Sequence, residues 1–213
     1  MDAIYRVGYN HEIAVVFLLL SFFFLAVLKA FYWKTTKLLV FSVFSKRYTN
    51  QYLREDNVFT ERVDLITFFV LVINFSLWFF RFQNENNFEL FMSISGIIIS
   101  YYLLKYLVIH FLGNVFLMKE LSRIVLFLSV LFDKVIFLFL TPIIVLLYFF
   151  VIPITNTILL ISIIYLLAGF CIKGIYLYKI SNTTFGISPL YIFLYLCILE
   201  FFPIFLMVKG LIF

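Results

Sequence analysis

The chain has 213 residues, of which 65% are hydrophobic and only 13% charged, with a formal net charge of +5. A soluble domain is roughly 45–50% apolar and about 25% charged, so this composition excludes an ordinary water-soluble protein and predicts an all-α, polytopic membrane helical bundle. The positive charge does not point to nucleic acid: the basic residues sit beside apolar runs, which is the distribution that membrane insertion demands.

The first apolar run predicts a span over 13–33. It is followed by "KAFYWK" without a small-residue cleavage site, so a retained helix is expected rather than a signal peptide. The next run, "LLVFSVF" over 38–44, is too short to cross and is bounded by Lys37 and Lys46, which places it at the membrane interface. Beyond it Glu55, Asp56, Glu61 and Asp64 are interleaved with Arg54 and Arg62. Such acids can hold magnesium for chemistry on a phosphorylated lipid, but the interleaved arginines favour a solvated, salt-bridged loop.

Spans two and three are expected over 65–82 and 88–112, joined by "QNENNFE". The segment 119–134, "KELSRIVLFLSVLFDK", puts Lys119, Arg123, Ser129 and Asp133 near one helical stripe. It reads either as an amphipathic helix in the headgroup region or as a continuous helix running into the fourth span. The remaining spans are expected over 135–152, 157–177 and 190–213, giving about six transmembrane helices in one domain covering 1–213.

Lysine and arginine set the orientation. The first loop carries Lys34, Lys37, Lys46, Arg47, Arg54 and Arg62, the third Lys119, Arg123 and Lys134, and the fifth Lys173 and Lys179. The other side has Arg6, Arg81 and Lys209, so both termini are expected outside the cytoplasm. Cys171 and Cys197 both fall in apolar spans and read as small hydrophobes without a disulfide.

An ionisable group inside a span is costly and marks a candidate site. Glu200 lies in "LYIFLYLCILEFFPIFL", about 15 Å along a helix entering near Leu190. Lys105, about 10 Å from the inner end of the third span, is its expected partner. Two readings stay open: the two meet between the third and sixth helices, or Lys105 snorkels to the headgroups while Glu200 is protonated against a tyrosine or carbonyl. His110, on a stripe with Tyr102 and Tyr106, reads as an interfacial histidine or as one step of a proton relay.

Enzyme signatures are missing: there is no P-loop, no zinc helix of the His-Glu-x-x-His type and no nucleophile elbow. "SISG" over 93–96 is a weak likeness to an intramembrane serine protease motif, because His110 follows on the same helix. An enzyme is therefore not the favoured reading, and no metal or cofactor is expected.

The block "FGISPLYIFLYLCILEFFPIFLMVK" over 185–209, with "LKYLVIHFLGNVF" and "FDKVIFLFLTP", resembles a Bacteroidota membrane-protein family defined as domain of unknown function 4271. The positions matching its pattern are Lys105, Gly113, Pro142, Tyr195, Cys197, Glu200, Pro203 and Lys209. Where an Asn-Arg pair is expected before the fourth span this chain has Asp133 and Lys134, so no fixed polar contact is carried over there. The resemblance implies the inner membrane of a Gram-negative bacterium and no particular activity. The candidate polar site is then Glu200, Lys105, Tyr195 and His110. The expected function is a non-catalytic subunit or assembly factor of a cell-envelope complex, in contact with the bilayer and with other inner-membrane subunits. The alternative is a small proton-coupled transporter or lipid flippase using Glu200.

Overall fold

Seven α-helices follow one another in the computed structural model, which describes residues 12–54, 58–81, 87–115, 119–149 and 152–185. Five of them are long and apolar enough to cross a bilayer: α1 (Glu12–Phe31), α4 (Val58–Phe80), α5 (Phe88–Val115), α6 (Lys119–Phe149) and α7 (Ile152–Phe185). Two are not: α2 (Trp33–Phe44) and α3 (Lys46–Arg54). The chain is an all-α, multi-pass membrane bundle. The sixth span expected over 190–213 lies outside the described residues.

Side-chain contacts give the directions of the helices. Ser21 meets Asn74 and Tyr32 meets Arg62, so α1 and α4 are antiparallel. Ser76–Ser95 and Phe68–Tyr102 contacts set α4 against α5 in the same way. Lys105–Asp133 and Lys173–Asp133 contacts place α5 and α7 beside α6. The short helices α2 and α3 occupy the end of the bundle where α1 finishes and α4 begins. The chain bends there at Tyr32 (φ −126°, ψ 23°), and the Thr49 hydroxyl of α3 donates to the Ser42 carbonyl of α2 at 2.6 Å.

Two helices form the centre. Residues 71–80 of α4 are all buried, as are 131–137 of α6. A helix apolar all round needs neighbours on every side, and α4 has α1, α5 and α6 around it. By contrast α1, α5 and α7 turn large apolar side chains outward, among them Leu19, Phe23, Leu103, Leu107, Ile164 and Leu167, as lipid-facing helices do.

Lipid tails are as apolar as the core, so helix association in a bilayer rests on close packing and interhelical hydrogen bonds. Asn74 supplies the densest set: it accepts from Ser21 Oγ at 3.0 Å and donates to the Phe137 carbonyl at 3.0 Å and Thr141 Oγ1 at 2.8 Å. Trp78 Nε1 donates to Ser162 Oγ at 2.9 Å, and Tyr148 donates to the Leu77 carbonyl at 2.8 Å. Pro142 has no N–H to give the Leu138 carbonyl one turn earlier, and the Thr141 hydroxyl donates to that carbonyl at 2.8 Å instead. That substitution lets α6 run through the proline to Phe149.

Candidate functional site

The open choice at 119–134 resolves to the continuous helix. α6 runs unbroken from Lys119, and its crossing stretch starts at Val125 rather than at 135. Asp133 and Lys134 consequently stand inside the span. By a rise of about 1.5 Å per residue, Asp133 is about 12 Å from Val125, while Lys105 is about 9 Å from Phe111 and Lys173 about 4–5 Å from Tyr176. All three share the bundle's α2–α3 end, and they converge.

Asp133 is 2% exposed, and its carboxylate is shared by two lysines that are each 1% exposed. Lys173 of α7 reaches Oδ1 at 2.6 Å, and Lys105 of α5 reaches Oδ2 at 3.4 Å. The first is a short charge-assisted hydrogen bond; the second is long for one and acts mainly through charge. The Lys105 amine also lies 5.8 Å and 5.9 Å from the rings of Tyr101 and Tyr102, and the Lys173 amine 5.7 Å from that of Phe170. Such ring faces favour a desolvated cation.

Close helix approach makes the α6–α7 contact possible. Gly169 is one turn before Lys173, and a Cβ there would come within 3.0 Å of Ile136, itself one turn after Asp133. The Tyr165 hydroxyl donates to the Ile136 carbonyl at 3.0 Å and fixes the same register.

The next residue, Lys134, points about 100° around α6 and serves the other side of the bundle. Its amine meets Asp64 of α4 at 2.7 Å, and Tyr52 of α3 donates to the same Asp64 oxygen at 3.0 Å. Lys134 is buried while the Asp64 side chain is 39% exposed, so this pair stands at the edge of water. Burial first, then the charge of Asp64 and the hydrogen bond to it, push the Tyr52 phenol well above its ordinary pKa. Through two consecutive residues α6 is therefore tied to α4, α5 and α7, and through Asp64 to Tyr52 of α3.

The expected site residues are dispersed. Lys105 is central, and its amine turns to Asp133 instead of snorkelling to headgroups. His110 is exposed, stacked on Tyr106 with centroids 6.0 Å apart, and takes no part in the cluster. Glu200 and Tyr195 lie outside the described residues. Lys134 and Lys173, read above as loop charges, are corrected to buried intramembrane partners. Of the acids read as one loop, Glu61 and Asp64 belong to α4. Ser93 of "SISG" is exposed, far along α5 from His110.

Asp133 was legible in one respect. The nine residues 124–132 before it are as apolar as those after Lys134, so the pair interrupts one hydrophobic stretch instead of preceding it. Asn74 carried no ionisable group, and nothing in the sequence set it apart from a lipid-facing asparagine.

A family model described as Domain of unknown function (DUF4271) matches residues 14–211, nearly the whole chain. The chain belongs to that family. No curated protein and no solved structure matches it. In this DUF4271 chain Lys105 sits in the cluster just described. The departure noted at Asp133–Lys134 falls on the two residues that tie α6 to its neighbours, so fixed polar contacts do exist there.

Proposed function

We infer that the chain is a non-catalytic integral component of an inner-membrane assembly serving the cell envelope, with the α2–α3 end toward the cytoplasm and both termini periplasmic. The observation that carries this reading is the use made of Asp133: a buried carboxylate gripped by lysines from two helices is a fastener, held in place rather than poised for turnover. The outward apolar faces of α1, α5 and α7 offer area for lipid and for partner helices. The exposed Lys34, Lys37, Arg47 and Arg54 at the α2–α3 end support the orientation. The test is extraction of a tagged chain in mild detergent with identification of co-purifying proteins. A stoichiometric envelope partner supports the reading; a monodisperse lone chain that still complements a deletion strain overturns it.

One observation favours a second reading, a small proton-coupled transporter or flippase. A partly open groove of about 420 Å³, lined by residues including Phe68, Tyr102, Tyr106, Leu126 and Val130, reaches Lys105. In that reading Lys105 is the inner end of an access route, and Glu200 with Tyr195 handles the proton. Glu200→Gln then accumulates normally yet fails to complement, and reconstituted vesicles lose proton-driven flux. Unchanged complementation rejects it.

A further inference from the structure

Helices α2 and α3 each have two sharply different faces. On α2, Thr36, Leu39 and Ser42 are buried against the bundle, whereas Trp33, Lys34, Lys37, Phe41 and Phe44 are exposed. At about 100° per residue the exposed five fall within one arc of about 100°, with the buried three across the helix from most of it. On α3, Thr49 and Tyr52 face inward and Arg47, Tyr48, Gln51 and Arg54 face outward. The two outer faces form one surface, because the rings of Phe41 and Tyr48 lie 5.7 Å apart. The Lys37 amine sits 5.7 Å from the Phe41 ring, so cations and aromatics are interleaved there. The outer arcs contain four basic residues and no acid.

We propose that this α2–α3 surface is a binding site for anionic phospholipid headgroups. Three observations select that occupant over an acidic protein or a nucleic acid. α2 starts two residues after the crossing helix α1 ends, which holds the surface at the level where the spans leave the hydrocarbon. Its exposed aromatics, Trp33, Phe41, Phe44 and Tyr48, are the side chains that settle at the headgroup boundary with an apolar body and, for Trp and Tyr, a polar tip. Lys34, Lys37, Arg47 and Arg54 supply the charge that anionic headgroups complement, and a cluster of this size beside a span is the sequence mark of acidic-lipid recognition. Because Tyr52, on the inner face of α3, bonds Asp64, the site is joined to the bundle rather than hung from a loose loop.

The test uses the full-length chain in mixed micelles of phosphatidylglycerol and phosphatidylcholine, with retained lipid counted by native mass spectrometry. The chain is expected to retain phosphatidylglycerol preferentially, and the preference to fall as salt is raised. Each neutralised residue is expected to lower it by up to about fivefold at low salt. The variant Lys34→Gln/Lys37→Gln/Arg47→Gln/Arg54→Gln then loses it, while Lys119→Gln/Arg123→Gln, at the start of α6, keeps it. Equal retention of the two lipids by the wild type overturns the proposal. So does a preference that survives in the fourfold variant, or one lost equally in the α6 variant, which would mark diffuse attraction rather than a site. Should the fourfold variant fail to accumulate, the pairs Lys34→Gln/Lys37→Gln and Arg47→Gln/Arg54→Gln are each expected to show a partial loss, and no loss in either overturns the proposal.

Discussion

Replacing Asp133 by asparagine keeps the side chain's shape and removes its charge from between Lys105 and Lys173. At an effective dielectric of about 20, the two contacts of 2.6 Å and 3.4 Å carry gross attractions of about 6 and 5 kcal/mol. Desolvating the three ions offsets several kcal/mol per group, so the net worth of the cluster is far smaller than that sum. Breaking it is another matter: removing one partner from a buried ion pair costs about 3–5 kcal/mol, because the surviving charge stays buried. Asp133→Asn is therefore expected to lower the midpoint of unfolding steeply in a detergent-based thermal or SDS titration, and to lower accumulation in cells. Asp64→Asn, at a carboxylate open to water, is expected to cost less. The decisive partner is the triple variant Asp133→Leu/Lys105→Met/Lys173→Met, which replaces the whole cluster with apolar groups and is expected to recover most of the loss. If Asp133→Asn unfolds like the wild type, the lysines are not held by this carboxylate. If the triple variant is as unstable as the single one, the loss comes from packing and the charge argument fails.

Other contacts make narrower predictions. Asn74→Ala removes interhelical hydrogen bonds to Ser21, Phe137 and Thr141; at about 0.6 kcal/mol for an average bond within a membrane, a loss of about 1–2 kcal/mol is expected in the same titration. Asn74→Asp is expected to be worse, since a carboxylate donates nothing to the Phe137 carbonyl. Gly169→Ile is expected to push α7 from α6 and to destabilise the chain as severely as Lys173→Met does, whereas Gly169→Ala asks Ile136 to give only a few tenths of an ångström and is expected to be mild. The Tyr52 phenol stays neutral when folded at pH values where an unfolded tyrosine, near pH 10, ionises. Its contribution is thus whole below that value and is lost as pH rises above it. Tyr52→Phe is expected to flatten the alkaline limb of the stability profile.

What the sequence disclosed follows the range of the physics involved. Hydropathy is local, so the start of the third span at Phe88 and the bounds of the first to within about two residues could be read directly. That the run over 38–44 is too short to cross was legible too, and it belongs to α2, a helix of 12 residues. Which charge meets which is not local. Lys105 and Asp133 are 28 residues apart and Asp133 and Lys173 are 40, and only the arrangement of three helices brings them together. Counting Lys134 and Lys173 as loop charges reflected a rule of orientation that takes basic residues to lie outside the hydrocarbon. A lysine with a carboxylate partner escapes it.

The charge pairing also bears on how the chain enters the membrane. An isolated lysine or aspartate at the middle of an inserting helix costs about 2.5–3.5 kcal/mol, and α6 carries one of each side by side. As synthesis proceeds, Asp64 and Lys105 are already in place when Asp133 and Lys134 arrive, so each new charge meets a waiting opposite. Lys173 comes last and takes the remaining oxygen of Asp133. Chain order is thus an assembly order, with α6 admitted by the helices before it and α7 admitted by α6. A chain stopped before α7 is expected to insert with Asp64, Lys105, Asp133 and Lys134 already matched in two pairs, and one lacking α5 to deliver α6 with Asp133 exposed to lipid and to the cell's membrane proteases.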